Sequence, residues 1–308
     1  MSTQVTQPAT AVMPEVRADK KLSLNKIMVL TDFSGVSDLA LEYALALARR
    51  YNSWIYLTHI LSTDVYQLTD PPLAEMTYKK MRQAAEQGMA DIVISGKLRG
   101  VPHETLLHEG PLWPTVERLI REHEIDLAVT GTHGLGQVKK IIIGSVAEEV
   151  FRQATCPVLT VGPRTEAQVP PEVSLKNILF ATDFGPGAEQ AAKYAFSLAQ
   201  EHNARLTMLH AVEEARAHTE EEVERVRKVN IQKMKQFVPP ESDNWCNVSF
   251  RVTFGAPVEE ILTEAWETKA DMIVMGAKTR KTVAGHAPQA TAYNVVAKAM
   301  SPVLTVRG

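Results

Sequence analysis

The stretch NKIMVLTDF at residues 25–33 decides the fold, because a close copy of it, KNILFATDF, recurs at residues 176–184. Each copy is a short apolar run that ends in Thr-Asp-Phe. The ends of the two halves also match, with CPVLTV at 156–161 and SPVLTV at 301–306. Copies of domain size indicate a tandem duplication and not a solenoid of short repeats.

The repeat divides the chain of 308 residues into two domains of ordinary size. We predict a disordered tail at 1–22, a first domain at 23–163, a linker at 164–174 and a second domain at 175–308. The tail is rich in Thr, Gln, Ala and Pro and lacks the apolar core of a signal peptide.

In each half, apolar runs of strand length alternate with segments that have a helical spacing of apolar residues. This alternation predicts an α/β fold in which helices cover both faces of a parallel sheet. In the first half the strands are predicted at 27–31, 54–60, 104–108, 127–130 and 157–161, and the helices at 36–48, 73–95, 113–123 and from 145 onward.

Composition excludes several classes of function. The chain is 45% hydrophobic and 22% charged with a net charge of −3, which gives no electrostatic basis for binding nucleic acid or an acidic membrane. No apolar run approaches the roughly 18 to 20 residues that span a bilayer. The two cysteines, Cys156 and Cys246, form no CxxC motif, so we predict a reducing, cytoplasmic location.

A glycine-spaced loop follows the fourth predicted strand. It runs from Gly131 through Gly134 to Gly144 and Ser145, just before a predicted helix. Glycine lets a backbone approach an anion closely, and the free N–H groups at a helix start point at negative charge. The loop therefore predicts a phosphate site, although the GxxxxGK[ST] motif of P-loop proteins is absent.

Two acidic residues, Asp32 and Asp183, directly follow the first strand of each half. At the carboxyl end of a strand, such a group can accept hydrogen bonds from a ribose hydroxyl or an adenine amino group. The alternative is that it caps the following helix. His133, within the loop, either touches a phosphate or faces solvent. For His59 and His210 we predict a histidine at the edge of the core, bonded to the backbone.

Together these features resemble the universal stress protein family in its tandem form. The family's nucleotide-binding pattern G-x2-G-x9-G-[ST] is met in full by Gly131, Gly134, Gly144 and Ser145. The resemblance implies two Rossmann-like, doubly wound, five-stranded parallel sheets of order 3-2-1-4-5. It also implies that the fifth strands pair antiparallel, within the chain or in a homodimer.

The resemblance further implies that ATP is the ligand, usually accompanied by Mg or Mn. Asp32 would contact the adenosine and Ile60 would line the adenine pocket. The loop glycines would hold the ribose and the phosphates. The complete set of residues implied at the nucleotide is Thr31, Asp32, Ile60, Gly131, His133, Gly134, Gly144, Ser145 and Val146.

The second half departs from this pattern. Gly276 is kept, but Thr279 and Gln289 replace the next two glycines and Ala290 replaces the serine. If both lost glycines need left-handed geometry, each replacement costs roughly 1–2 kcal/mol. We therefore predict that the second half has lost nucleotide binding.

The function implied is a stress-response regulator that binds ATP in its first half and acts on a protein partner. The alternatives are a slow ATPase or nucleotidyl transferase and a ligand-free scaffold. Phosphoryl transfer needs a positioned base or water-orienting group, and the sequence shows none beyond His133 or Asp32. It identifies neither catalytic residues nor metal ligands.

Overall fold

The computed structural model describes residues 24–62, 71–132, 143–162, 173–213, 219–240, 242, 246–277 and 290–307. The predicted tail and most of the predicted linker lie outside these ranges. None of the helices within them is long and apolar enough to cross a membrane.

The chain has the alternating strands and helices that the repeat predicts. The first half comprises β1 Lys26–Leu30, α1 Gly35–Tyr51, β2 Trp54–Leu61, α2 Pro71–Ile94, β3 His103–Glu109, α3 Leu112–His123, β4 Leu127–Gly131, α4 Ser145–Gln153 and β5 Val158–Val161. The second half comprises β6 Asn177–Ala181, α5 Ala188–His202, β7 Arg205–Val212, α6 Glu220–Lys235, β8 Val248–Phe254, α7 Pro257–Glu267, β9 Met272–Ala277, α8 Ala290–Lys298 and β10 Val303–Arg307.

Each half has the strand order 3-2-1-4-5, and its neighbouring strands are parallel. In the first half, Leu30 of β1 is in register with Thr58 of β2 on one side and Thr130 of β4 on the other. The strand order therefore reverses at β1. In doubly wound sheets, ligands bind outside the carboxyl ends of the strands at such a point.

The two expected five-stranded sheets are halves of one ten-stranded sheet, because β5 pairs antiparallel with β10. Leu159 lies opposite Leu304 at the centre of this pairing. The hydroxyls of Thr160 and Thr305 add bonds across it, each 3.2 Å from a carbonyl oxygen of the opposite strand. The pairing covers two strand edges that would otherwise be exposed.

On one face of the sheet, α1 and α5 belong to a single hydrophobic core that contains residues of both halves. At the ends of these helices, the Arg50 guanidinium donates to the carbonyl oxygen of Glu201. The Tyr51 hydroxyl lies 3.3 Å from Nε2 of His202. Because positions 50 and 201, like 51 and 202, are equivalent in the repeat, a pseudo-two-fold axis passes between them.

His202 is neutral at this interface near physiological pH. Burial lowers its pKa to about 4, and the nearby charge of Arg50 adds to the effect. Its Nδ1 accepts a hydrogen bond from the Leu175 backbone N–H at 3.2 Å, as only an unprotonated ring nitrogen can.

On the opposite face, α4 of the first half packs against the second half. Ile143 and Phe151 are buried in a cluster with Ile273 of β9 and Val296 of α8. The Arg307 guanidinium at the end of β10 also donates to the carbonyl oxygen of Phe151. The second half therefore supports the helix that follows the glycine loop.

Because Ile143 is 2% exposed in this shared cluster, Ile143→Ala should lower the free energy of unfolding. We expect a loss of about 2–5 kcal/mol in urea denaturation, the usual cost of truncating a buried isoleucine. Far-UV circular dichroism and tryptophan fluorescence should report one common transition. Leu73→Ala, at a position that is 48% exposed, is the control and should change stability by no more than about 0.5 kcal/mol. Two separate transitions, of which only one shifts, would contradict a shared core.

Candidate functional site

The turn after β1 is held by the side chain of Thr31. This hydroxyl oxygen accepts the N–H of Phe33 at 3.0 Å and lies 3.2 Å from Oγ of Ser37. The backbone N–H of Thr31 continues the sheet by donating to Thr58 O at 3.0 Å. Thr31 is buried, so it shapes the site by fixing the turn.

Asp32 does not cap α1. The N-cap residue is Ser34, whose side chain accepts the N–H of Ser37 at 3.2 Å. Oδ1 of Asp32 instead accepts the N–H of Ser34 at 3.0 Å, which is an Asx turn. The carboxylate is half-buried, and its second oxygen has no hydrogen-bond partner among the residues that the structure describes. That oxygen is available to a donor group of a ligand.

Phe33 has a left-handed backbone, with φ of 63°, and Phe184 repeats this with φ of 58°. A positive φ is unusual for a bulky residue and marks a turn that its surroundings hold in place. The Phe33 ring lies 4.5 Å from the His59 ring, centroid to centroid. Sequence reasoning missed this feature. Because both halves have it, it belongs to the turn itself and not to the glycine motif.

His59, in β2, forms a hydrogen bond to the backbone just after β1, as predicted for a histidine at the edge of the core. Its Nδ1–H donates to the carbonyl oxygen of Thr31 at 2.7 Å, and His210 makes the same bond to Thr182 at 2.8 Å. Burial lowers the pKa of His59, although the bond to Thr31 and the charge of Asp32 oppose the change. The ring is therefore a neutral structural group near physiological pH.

Ile60 lies near the carboxyl end of β2. It is half-buried and packs against the cluster that contains Leu30 and Tyr56. One side of Ile60 thus belongs to the core of the first half, and the rest of its surface is accessible.

Gly131 ends β4 where that strand touches the start of α1. A Cβ atom added there would lie 2.9 Å from the carbonyl carbon of Val36 and 3.0 Å from the nitrogen of Ser37. An added Cβ at Gly276 would lie 2.9 Å from the carbonyl carbon of Gly187. The first glycine of the motif is thus required for strand–helix packing in both halves. This requirement explains why Gly276 persists when the rest of its motif does not.

The two ends of the glycine loop meet at the carboxyl end of β4. Thr132 is fully buried, and its N–H donates to Val161 O at 2.9 Å. Its carbonyl oxygen accepts the N–H of Gly144 at 2.6 Å. The predicted site residues His133 and Gly134 lie outside the described residues.

Gly144 is the N-cap residue of α4, but the left-handed geometry considered for it is wrong. Its φ is −60° and its ψ is 151°, which any residue adopts. The estimated strain of a replacement therefore does not apply at this position. What glycine supplies is an N-cap without a side chain, so no side-chain group of Gly144 accepts an N–H of the first turn. Its carbonyl oxygen accepts the N–H of Glu148 at 2.8 Å.

Ser145 and Val146 are the first two residues of α4. The N–H of Gly144 is already bonded to Thr132. The first N–H groups within a helix have no acceptor of their own in that helix, and the helix dipole favours negative charge there. Val146 is half-buried at this position. The structure thus groups the described site residues around the carboxyl ends of β1, β2 and β4.

Comparisons with known proteins agree with this fold. A sequence model of the universal stress protein family matches residues 23–162 and again residues 174–307. A Staphylococcus aureus (strain USA300) protein assigned to the universal stress proteins is 29% identical over 148 residues, which are 47% of this chain and 87% of that protein.

Solved structures similar to the whole chain include two universal stress protein structures. The one from Archaeoglobus fulgidus has a TM-score of 0.69 and 20% sequence identity, and the match covers 92% of this chain and 98% of that one. The one from Pseudomonas aeruginosa UCBPP-PA14 has a TM-score of 0.60 and 19% identity, covering 93% and 94% of the two chains. At these identities the likeness shows the fold.

The packing role of the first motif glycine is testable in both halves. Gly131→Ala and Gly276→Ala should each lower the free energy of unfolding by about 1–3 kcal/mol, because the added methyl group meets backbone atoms. Gly35→Ala is the control, since a Cβ there meets nothing within 4 Å. Urea denaturation measures all three. A Gly276→Ala variant as stable as the parent would mean that this glycine persists for another reason.

Proposed function

Since the chain belongs to the universal stress protein family, we propose that it binds ATP in its first half and acts as a nucleotide-responsive regulator in the stress response. One observation carries the proposal: the N-cap of α4 has no side chain, and it is bonded to the residue that follows β4. Asp32 follows the neighbouring strand, β1, with one carboxylate oxygen unbonded within the described ranges. The start of α4, which would bind an anion, and the Asp32 carboxylate, which would accept a hydrogen bond from a nucleoside, therefore lie at the same edge of the sheet.

In the proposed complex, Asp32 accepts a hydrogen bond from the adenosine and Ile60 contacts the adenine ring. The amide groups of Ser145 and Val146 bind the phosphates, where the helix dipole adds to the attraction. His133 and Gly134 would close the loop over the ribose and phosphates, as the family resemblance implies. Mg²⁺ is commonly bound through phosphate oxygens and water, so ATP would bring a Mg²⁺ or Mn²⁺ ion with it.

The sequence of the second half departs from this arrangement. Gln289 stands where the first half has Gly144, so the residue at this repeat position carries a side chain. Pro288 also lacks the N–H that other residues offer. We therefore propose that only the first half binds ATP. Glycine at position 144 would matter because it has no side chain, since its φ of −60° is one that any residue adopts.

Regulation would act through the contact between α4 and the second half. Ile143 directly precedes Gly144 in the glycine loop and is buried against second-half residues. ATP can shift only an equilibrium between conformations that it binds with different affinity. Contacts between ATP and the loop would favour one packing of Ile143 and so change the surface offered to a partner protein.

We also propose a cytoplasmic location. Both cysteines are free and buried, and burial raises the pKa of each thiol to about 11. Free thiols of this kind suit a reducing compartment, and their high pKa makes them unreactive.

The equivalent aspartates of the two halves provide a matched test. Asp32→Asn keeps an oxygen for the N–H of Ser34 but replaces the carboxylate that faces the adenosine. Calorimetric titration should show one ATP per chain, bound at least about tenfold more weakly by Asp32→Asn, since a charge-assisted hydrogen bond is lost. Asp183→Asn in the second half should bind like the parent. Equal weakening in both variants, or in neither, would reject the assigned site.

A further inference from the structure

The second half contains a cleft at the carboxyl ends of β6 and β7, beneath α6. Its volume is about 500 Å³. Asp183 and Phe184 line one side, and the side chains of α6 line the other. Charged residues of α6 at i, i+4 spacing, such as Glu224 and Lys228, indicate by themselves a solvated helix face. The Glu224–Lys228 pair is present at 3.7 Å, but part of the helix also faces this cleft.

The internal repeat shows what is specific to this cleft. Counted back from Gly255, which matches Gly110, α6 aligns with α2 and the buried Met234 matches the buried Met89. In this alignment, buried Asn230 stands where the first half has buried Ala85.

A second replacement occurs one helical turn further along. Lys233 stands where the first half has Gly88. The environment is equivalent in both halves: a Cβ built on Gly88 lies 2.8 Å from the Phe33 ring, and the Lys233 ammonium lies 5.4 Å from the centroid of the Phe184 ring. A cation and a buried amide have thus replaced two small residues.

Two of the five cationic side chains of α6 face the cleft. Arg225 and Lys233 line the cleft, and neither forms a salt bridge within the part of the chain that the structure describes. By contrast, Arg227 and Lys228, which do not line it, lie 3.3 Å and 3.7 Å from carboxylate oxygens of Glu224. The cleft therefore offers two cations whose charge no described acidic side chain balances by direct contact.

The rest of the lining combines apolar and polar side chains. Val212, Val226 and Phe184 contribute to it, and Val229 is 50% exposed at its wall. Asp183, His210 and Asn230 add polar groups, and Oδ1 of Asp183 already accepts the N–H of Gly185 at 2.8 Å. A ligand that covers Val229 would remove apolar surface from water and gain free energy from its burial.

We propose that this cleft binds a small amphipathic organic anion. Its acidic group would bind Arg225 and Lys233, and its apolar body would lie on Val229 and Phe184. Charge-assisted bonds to the two cations and burial of the apolar body both favour such a ligand. The site uses no part of the glycine loop and is independent of ATP binding in the first half.

Anilinonaphthalene sulfonate, a fluorescent aromatic monoanion, is a direct probe of the full-length chain. The parent should bind one molecule per chain saturably, and saturating ATP should not displace it. The double variant Arg225→Ala/Lys233→Ala should bind the probe at least about tenfold more weakly, because both cations of the cleft are gone.

The double variant Lys228→Ala/Lys235→Ala is the matched control, since it removes the same charge from the same helix outside the cleft. It should change the affinity by less than about twofold. Near-UV circular dichroism verifies that all proteins are folded. If Arg225→Ala/Lys233→Ala does not fold, the single variant Lys233→Gln replaces it in the binding measurement. Equal affinity of the two double variants, or displacement of the probe by ATP, would overturn the proposal.

Discussion

The antiparallel pairing of β5 with β10 is the constraint on which the rest of the structure depends. It turns two sheets into one of ten strands and creates a pseudo-two-fold axis between the halves. Through it, α1 and α5 come to share a core on one face, and α4 comes to rest on the second half on the other. Ile143, which directly precedes the N-cap residue Gly144, is therefore buried against the other half of the chain.

The duplication separates what the fold requires from what a ligand requires. The left-handed phenylalanine at 33 and 184, the histidine bonded to the first strand and the glycine at 131 and 276 are present in both halves. Each has a packing or hydrogen-bonding reason to be there. Gly134 and Gly144 have no counterpart in the second half. Features that only the first half keeps support a nucleotide site there. Features that both halves share do not indicate which half binds a nucleotide.

Much of the fold could be predicted from the sequence, because strand and helix periodicity and an internal repeat are local signals. Every first-half strand lies within a few residues of its predicted position, and the order 3-2-1-4-5 holds. The geometry of the site was harder to predict. The φ of Gly144 and the close approach of Gly131 to Val36 depend on tertiary packing, which residue type alone does not report. The cleft beside Lys233 was missed because a helix with charged i, i+4 pairs has the same pattern whether or not one side lines a cavity.

The second half supports the helix at which the first half would bind ATP. Amide hydrogen exchange of the full-length chain, with and without saturating ATP, tests it most directly. Exchange should slow in α4 and also in the second-half segments that pack on it, around Val296 and Val303. Protection confined to the first half while ATP is bound would contradict the claim.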